Sequence, residues 1–287
     1  MRIGVVFPQT EIGADPSGVK AYAQAIQQMG FAHLAVYDHV LGADRSVRPG
    51  WSGPYTSESL FHEPMVLFGY LAAVAPGLEL VTSVIILPQR QTVLAAKQAA
   101  EIDVLSGGKL RFGIGIGWND VEYEGLGLNF KNRGRRFDEQ IDVLRKLWTE
   151  PIVSYAGKYH TITAAGINPL PVQRPIPLWI GGSAEAALKR AAEVADGYFP
   201  QRPLAGGWPA TVEKVLDWRR QAGKDPKTFG IDARINTAGS GPDDWRKTAL
   251  EWGELGASHL TVNTMGAGLR GPEAHLKRLS EALAAIT

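Results

Sequence analysis

The plainest chemistry in the sequence is the pair Asp38-His39, where a carboxylic acid stands beside an imidazole. An imidazole titrates near neutrality, so a positioned histidine can take a proton from a reacting group or return one. The same dipeptide also reads as an Asx turn next to a histidine that only packs. The stretch that follows to His62 has no regular periodicity and collects glycine, proline and aromatics (Trp51, Pro54, Tyr55, Phe61), as a lid over a site would. A histidine at a strand end beneath such a loop is the leading catalytic candidate.

Gly181-Gly182-Ser183 is expected to open a helix directly after a strand. Free N–H groups and the positive end of the helix dipole would then hold a cofactor phosphate without a basic side chain. An ordinary strand-to-helix turn has the same spacing, and neither GxGxxG nor GxxxxGK[ST] occurs. Arg45, Arg48, Arg90, Lys131, Arg133, Arg135 and Arg136 come from segments expected on one rim. Three of them crowd a helix start, where positive charge is disfavoured and an external anion or acidic partner would explain them. Ser83-Val84 places a small hydroxyl inside an apolar strand. Asn236-Thr237 and Asn263-Thr264 follow the last two strands and either face substrate or complete turns.

Other chemistries are disfavoured. The absence of cysteine excludes disulfides, thiolate metal sites and a cysteine nucleophile, and fits a reducing compartment. The six histidines are scattered, with no HxH, so no metal site is expected. Thirty basic against 29 acidic side chains leave +1, with no bulk field for nucleic acid or an anionic membrane. Met1 runs straight into an apolar strand without a signal-peptide pattern or a bilayer-length apolar run, so the expected location is the cytoplasm.

The elements that must position these residues alternate strand with helix. The strands are Arg2 to Phe7, His33 to Tyr37, Glu79 to Leu87, Leu110 to Gly117, Leu178 to Ile180, Gly197 to Pro200, Gly230 to Ile235 and His259 to Val262. Helices are expected over Pro16 to Met29, from Pro64, over Thr92 to Leu105, from Arg133 with Asn132 as N-cap, from Ser183 through Ala192, and over Trp208 to Gln221, Pro242 to Glu254 and Gly271 to Ala285. Pro151 to Thr163 alternates as a hairpin excursion. Eight such units argue one domain over 1–287, a parallel (β/α)8 TIM barrel with insertion loops, its site at the carboxyl ends of the strands. Along Leu110 to Gly117, Leu110, Phe112, Ile114 and Ile116 alternate with Arg111, Gly113, Gly115 and Gly117. One strand face is therefore mostly glycine, where a flat ligand could approach the backbone closely. Relief of crowding inside a barrel is the other reading.

The stretch LRFGIGIGWNDVEYEGLGLNFKNRGRRFDEQIDVLRKLW from Leu110 to Trp148 closely resembles the signature of the luciferase-like monooxygenase superfamily. EPMVLFGYLAA from Glu63, LVTSVIILPQRQTVLAAKQAAEIDVLSGGKL from Leu80 and PLWIGG from Pro177 extend the likeness, which runs from Met1 to about Pro200. The chain is most similar to the coenzyme F420-dependent branch. That resemblance implies a hydride transfer between F420 and a small organic substrate, with His39 beside the reactive ring. It also implies a non-prolyl cis peptide at Ser83-Val84 supporting the ring, phosphate at Gly181 to Ser183, cofactor contacts at Asp38, Gly115 and Gly117, and a homodimer. The arginine cluster is then a candidate for the polyglutamate tail of F420. An FMN-dependent monooxygenase shares the fold and most motifs and is the alternative; a flavin- or deazaflavin-binding protein without turnover is the third. In F420-dependent sugar-phosphate dehydrogenases a glutamate follows the strand-four GxG and a tryptophan follows the Asp-His pair. Trp118 and Ala43 stand there instead, which argues against a sugar-phosphate substrate.

Overall fold

The computed structural model describes all residues from Met1 to Thr287. Its strands are β1 (Arg2–Val6), β2 (His33–Val36), β3 (Glu79–Thr82), β4 (Ile85–Ile86), β5 (Leu110–Gly115), the excursion strands β6 (Val153–Ala156) and β7 (Thr161–Ala165), then β8 (Leu178–Gly181), β9 (Gly197–Phe199), β10 (Gly230–Asn236) and β11 (His259–Asn263). The helices are α1 (Pro16–Gln28), α2 (Pro64–Val74), α3 (Thr92–Leu105), α4 (Asp120–Gly125), α5 (Arg133–Thr149), α6 (Glu185–Val194), α7 (Gly207–Gln221), α8 (Pro242–Glu254) and α9 (Gly271–Ile286). All barrel pairings are parallel, and they run β1–β2–β3–β5–β8–β9–β10–β11 and back to β1, closing an eight-stranded (β/α)8 barrel. No helix is long and apolar enough to cross a membrane.

Period-2 strands divide the packing into two layers. Outward side chains such as Phe112 and Ile114 join the large core between barrel and helices, where Phe112 meets Trp148 edge-on at 5.7 Å. Inward positions hold a small apolar cluster of Ala35, Val81, Trp179 and Phe199, with Val84 against it. Below it lies charge: Arg111 donates to Asp232 at 2.8 Å, and Thr261 donates to the other oxygen of Asp232 at 2.6 Å. The Thr261 hydroxyl also lies 2.7 Å from Nε2 of His33. Burial alone would raise the Asp232 carboxyl, but Arg111 and His33 hold it far below the ordinary carboxylate range. A buried ion pair of this kind persists because each oxygen has a partner.

Three sequence expectations need correction. The single strand expected from Glu79 to Leu87 is broken at Ser83-Val84, where the peptide bond is cis, and resumes only for Ile85–Ile86. Asn132 does not cap α5 with its side chain; it ends a one-turn 3-10 helix, Phe130–Asn132, and already has near-helical backbone angles. The helix expected from Ser183 begins at Glu185 with Ala184 as N-cap, so Ser183 lies in the turn before it. One element is additional: α4, capped by Asn119, whose side chain accepts from the amide of Val121.

Candidate active site

The carboxyl ends of the strands enclose a cavity of about 480 Å³. It gathers Asp38 and His39 after β2, Ser83 and Val84 between β3 and β4, and Gly115 and Gly117 at the end of β5. Gly181, Gly182 and Ser183 after β8 complete the opposite wall. A larger, more open hollow of about 700 Å³ on the outer wall, between the start of α3 and the hairpin, holds none of these residues.

His39 sits on the cavity wall with its side chain only 11% exposed. Its ring is held edge-on by Tyr55 and Trp118, at 4.8 and 5.5 Å, and tilted against Phe61 at 4.7 Å. Nδ1 lies 2.7 Å from Oε1 of Glu122, a residue of α4. The same oxygen accepts from the amide of Val40 at 2.9 Å, and Oε2 accepts from Gln89 at 2.8 Å. Burial would raise the Glu122 carboxyl, but the bonds from His39, Gln89 and Val40 keep it below the ordinary glutamate value. An ionised carboxylate only accepts, so Nδ1 carries a proton and Nε2 is the ring nitrogen left free to accept or release one. The arrangement can hold or pass one proton at Nε2.

Asp38 has a different task. Its two oxygens accept from the amide of Ile86 at 2.9 Å and from Arg90 at 2.7 Å, and Arg90 reaches on to Glu63 at 2.9 Å. Both oxygens are therefore engaged in fixing the bend after Ser83-Val84, while the residue also lines the cavity.

The glycines also serve the protein first. A Cβ on Gly115 or Gly181 would stand 2.7 Å from a γ-methyl of Val84, and one on Gly117 would stand 2.7 Å from Ile86. Gly117 additionally has φ +69, a left-handed conformation that glycine adopts without strain. Gly113 lies against the carbonyl of Thr82 and the ring of Phe199. Val84 and Ile86 thus approach these glycines closely, and the Val84 side chain lines the cavity together with Gly115, Gly117 and Gly181.

Of the basic cluster, Arg90 is neutralised by Asp38 and Glu63, and Arg48 pairs with Glu124 at 2.9 Å. Arg45 donates to the carbonyl of Gly53, Arg136 to that of Arg90, and Arg133 stacks 3.7 Å over Phe130. Internal partners therefore explain most of the cluster, while Lys131 and Arg135 remain exposed. Asn236 and Asn263 bond to each other at 3.0 Å on the rim, and neither lines the main cavity. Residues overlooked in the sequence are Glu122, Gln89, Tyr37, Gln201 and Arg234. The polar pattern Asp232-Ala-Arg234 within an otherwise apolar strand was the available signal for the last of these.

The wall fits a ring cofactor: Val84 offers an apolar surface, His39 stands beside it, and the Gly181-to-Ser183 turn precedes the start of α6. Residues 1–246 match the family described as luciferase-like monooxygenase. An uncharacterised protein of Mycobacterium tuberculosis is 32% identical over 211 residues, covering 70% of this chain and 71% of that one. An FMNH(2)-dependent dimethylsulfone monooxygenase of Pseudomonas putida is 32% identical over 158 residues, 54% of this chain and 43% of its own. The coenzyme F420-dependent tetrahydromethanopterin reductase of Methanopyrus kandleri shares the fold with a TM-score of 0.75 at 15% identity, covering 100% of this chain and 99% of its own.

Proposed function

Because this chain belongs to the luciferase-like monooxygenase family, we propose that it is an oxidoreductase which uses F420 to exchange a hydride with a small organic substrate. The observation that carries this reading is His39, aimed at the cavity by Glu122 beside the apolar Val84 wall. When bound, the deazaflavin supplies or receives the hydride. His39 holds or accepts the coupled proton at Nε2, and Glu122 fixes the tautomer by accepting from Nδ1. Val84 would back the ring, and the turn from Gly181 to Ser183 would meet the phosphate with backbone amides. Tyr55, Phe61 and Trp118 exclude water from the histidine. Exposed Lys131 and Arg135 are candidates for an acidic tail.

FMN is the second reading, supported by the 32% identity to the FMNH(2)-dependent relative. The deciding experiment titrates the purified protein with F420 and with FMN, then follows F420 absorbance with a panel of alcohols and conjugated carbonyl compounds, and oxygen consumption with reduced FMN. Binding of F420 with substrate-dependent hydride exchange is expected. Binding of FMN alone would overturn the deazaflavin assignment, and binding of both without turnover would make the protein a carrier.

The reading includes a homodimer. Val66 and Tyr70 of α2 and Leu94 and Leu105 of the adjacent α3 are exposed apolar side chains on the outer wall, which a second copy would cover.

A further inference from the structure

Along β10 the side chains of Asp232, Arg234 and Asn236 turn toward the barrel axis at successive heights. Asp232 is committed to Arg111, Thr261 and His33. Arg234, one step nearer the rim, has no such partner. It donates to the Tyr37 hydroxyl at 2.7 Å and to the Ser83 hydroxyl at 3.0 Å, its Nε is buried without an acceptor, and no carboxylate lies within 4.0 Å. Burial raises the Tyr37 phenol above its ordinary value, so it is neutral at pH 7 and leaves the charge uncompensated. Arg90 and Arg111 nearby are each matched by two carboxylates.

Arg234 also stands where two cavities meet. It lines the main cavity and a second one of about 390 Å³, which it shares with Gln201, Asn236, Trp208 and Trp252. The two indoles lie 4.9 Å apart, centroid to centroid, and form an apolar wall. Since Oδ1 of Asn236 accepts from Asn263, its amide nitrogen is left as a donor. A partly buried guanidinium with no carboxylate partner, flanked by amide donors and an aromatic wall, is built to receive a carboxylate attached to an apolar body.

We propose that this second cavity is a subsite for a small organic carboxylate and that Arg234 determines specificity for its charge. Calling that acid the substrate rests on the oxidoreductase reading; the binding itself does not.

The test uses the whole protein without added cofactor and two probes of equal shape, benzoate and benzamide, titrated by calorimetry and by quenching of tryptophan fluorescence. Benzoate is expected to bind at least about 10-fold more tightly than benzamide, as a charge-assisted pair allows. Its affinity should fall as sodium chloride is raised while that of benzamide does not. Arg234→Gln should abolish the preference, Arg234→Lys should retain part of it, and Trp208→Phe should weaken the quench. The salt arm needs no variant, so it stands even if Arg234→Gln fails to fold. Equal affinities, no benzoate binding at millimolar concentration, or a preference that survives in folded Arg234→Gln would each overturn the assignment. The F420 and FMN titrations are read separately, so loss of the cofactor reading leaves this result standing and the reverse also holds.

Discussion

Nδ1 of His39 and Oε1 of Glu122 lie 2.7 Å apart although 83 residues separate them in the chain. Glu122 lines the cavity, but both its oxygens are engaged by His39, Val40 and Gln89. It therefore acts through the histidine. Replacing His39 with alanine should lower turnover roughly 10²- to 10⁴-fold with cofactor affinity little changed. Glu122→Gln, which keeps the shape but not the charge, should cost a smaller part of that factor, about 10-fold or more. Steady-state kinetics beside a cofactor titration measures both; an unchanged kcat in a folded His39→Ala protein would remove the proposed proton step.

The Val84 seat makes a second prediction. Gly181→Ala or Gly115→Ala places a methyl group 2.7 Å from a Val84 methyl, an overpacking that should cost about 1–3 kcal/mol and weaken cofactor binding by displacing Val84. Combining either change with Val84→Ala removes the collision, so the double variant should be more stable than the glycine variant alone. Chemical denaturation of the four proteins tests this, and simple addition of the two single-site losses would refute the packing relationship.

The barrel was legible in the sequence because it rests on local periodicity: all eight barrel strands and the long helices lie within a few residues of the spacing that announces them. His39 was legible for a related reason, as a polar residue just past a strand. Glu122 was not, because α4 spans six residues among glycines and its partner is distant. The meaning of the glycine face was also hidden. Gly115 and Gly181 lie on different strands and share one neighbour, Val84, so only the closed barrel shows that the space is already taken. The interior charge was missed likewise: Arg111 looks misplaced in its strand until β10 brings Asp232 to it.

The exposed faces of α2 and α3 make a third prediction. If a second copy covers them, light scattering coupled to size exclusion will give twice the chain mass, and Val66→Asp combined with Leu94→Asp will shift the protein toward monomer with the barrel intact by circular dichroism. A wild-type monomer at micromolar concentration would rule the dimer out.

The last prediction concerns acid. His275 is fully buried, with Nδ1 2.7 Å from the Thr264 hydroxyl, and burial pushes its pKa down to about 4 from the ordinary 6.5. His259 is pushed down to about 3, first by burial and then by Arg111, and His33 is lowered first by burial as well. A histidine whose folded value is depressed binds its proton more readily in the unfolded chain. Its contribution is thus complete above about pH 6.5 and is lost as pH falls toward the folded value. The depressed carboxylates Asp232 and Glu122 have the opposite charge type but the same direction, and their losses begin only near and below pH 4. Between pH 7.5 and pH 5 the histidines therefore dominate. For His275 alone the loss over that interval is about 2 kcal/mol at about 1.4 kcal/mol per pH unit. His275 stands apart from the Arg111–Asp232 network, so His275→Gln isolates it. Urea denaturation at the two pH values should show a smaller pH-dependent loss in His275→Gln than in the wild type, whatever the variant's absolute stability. Equal losses would mean that His275 titrates alike in the folded and unfolded chain, with Glu11 at 3.3 Å offsetting the burial, and a smaller loss in the wild type would mean that it is already protonated when folded.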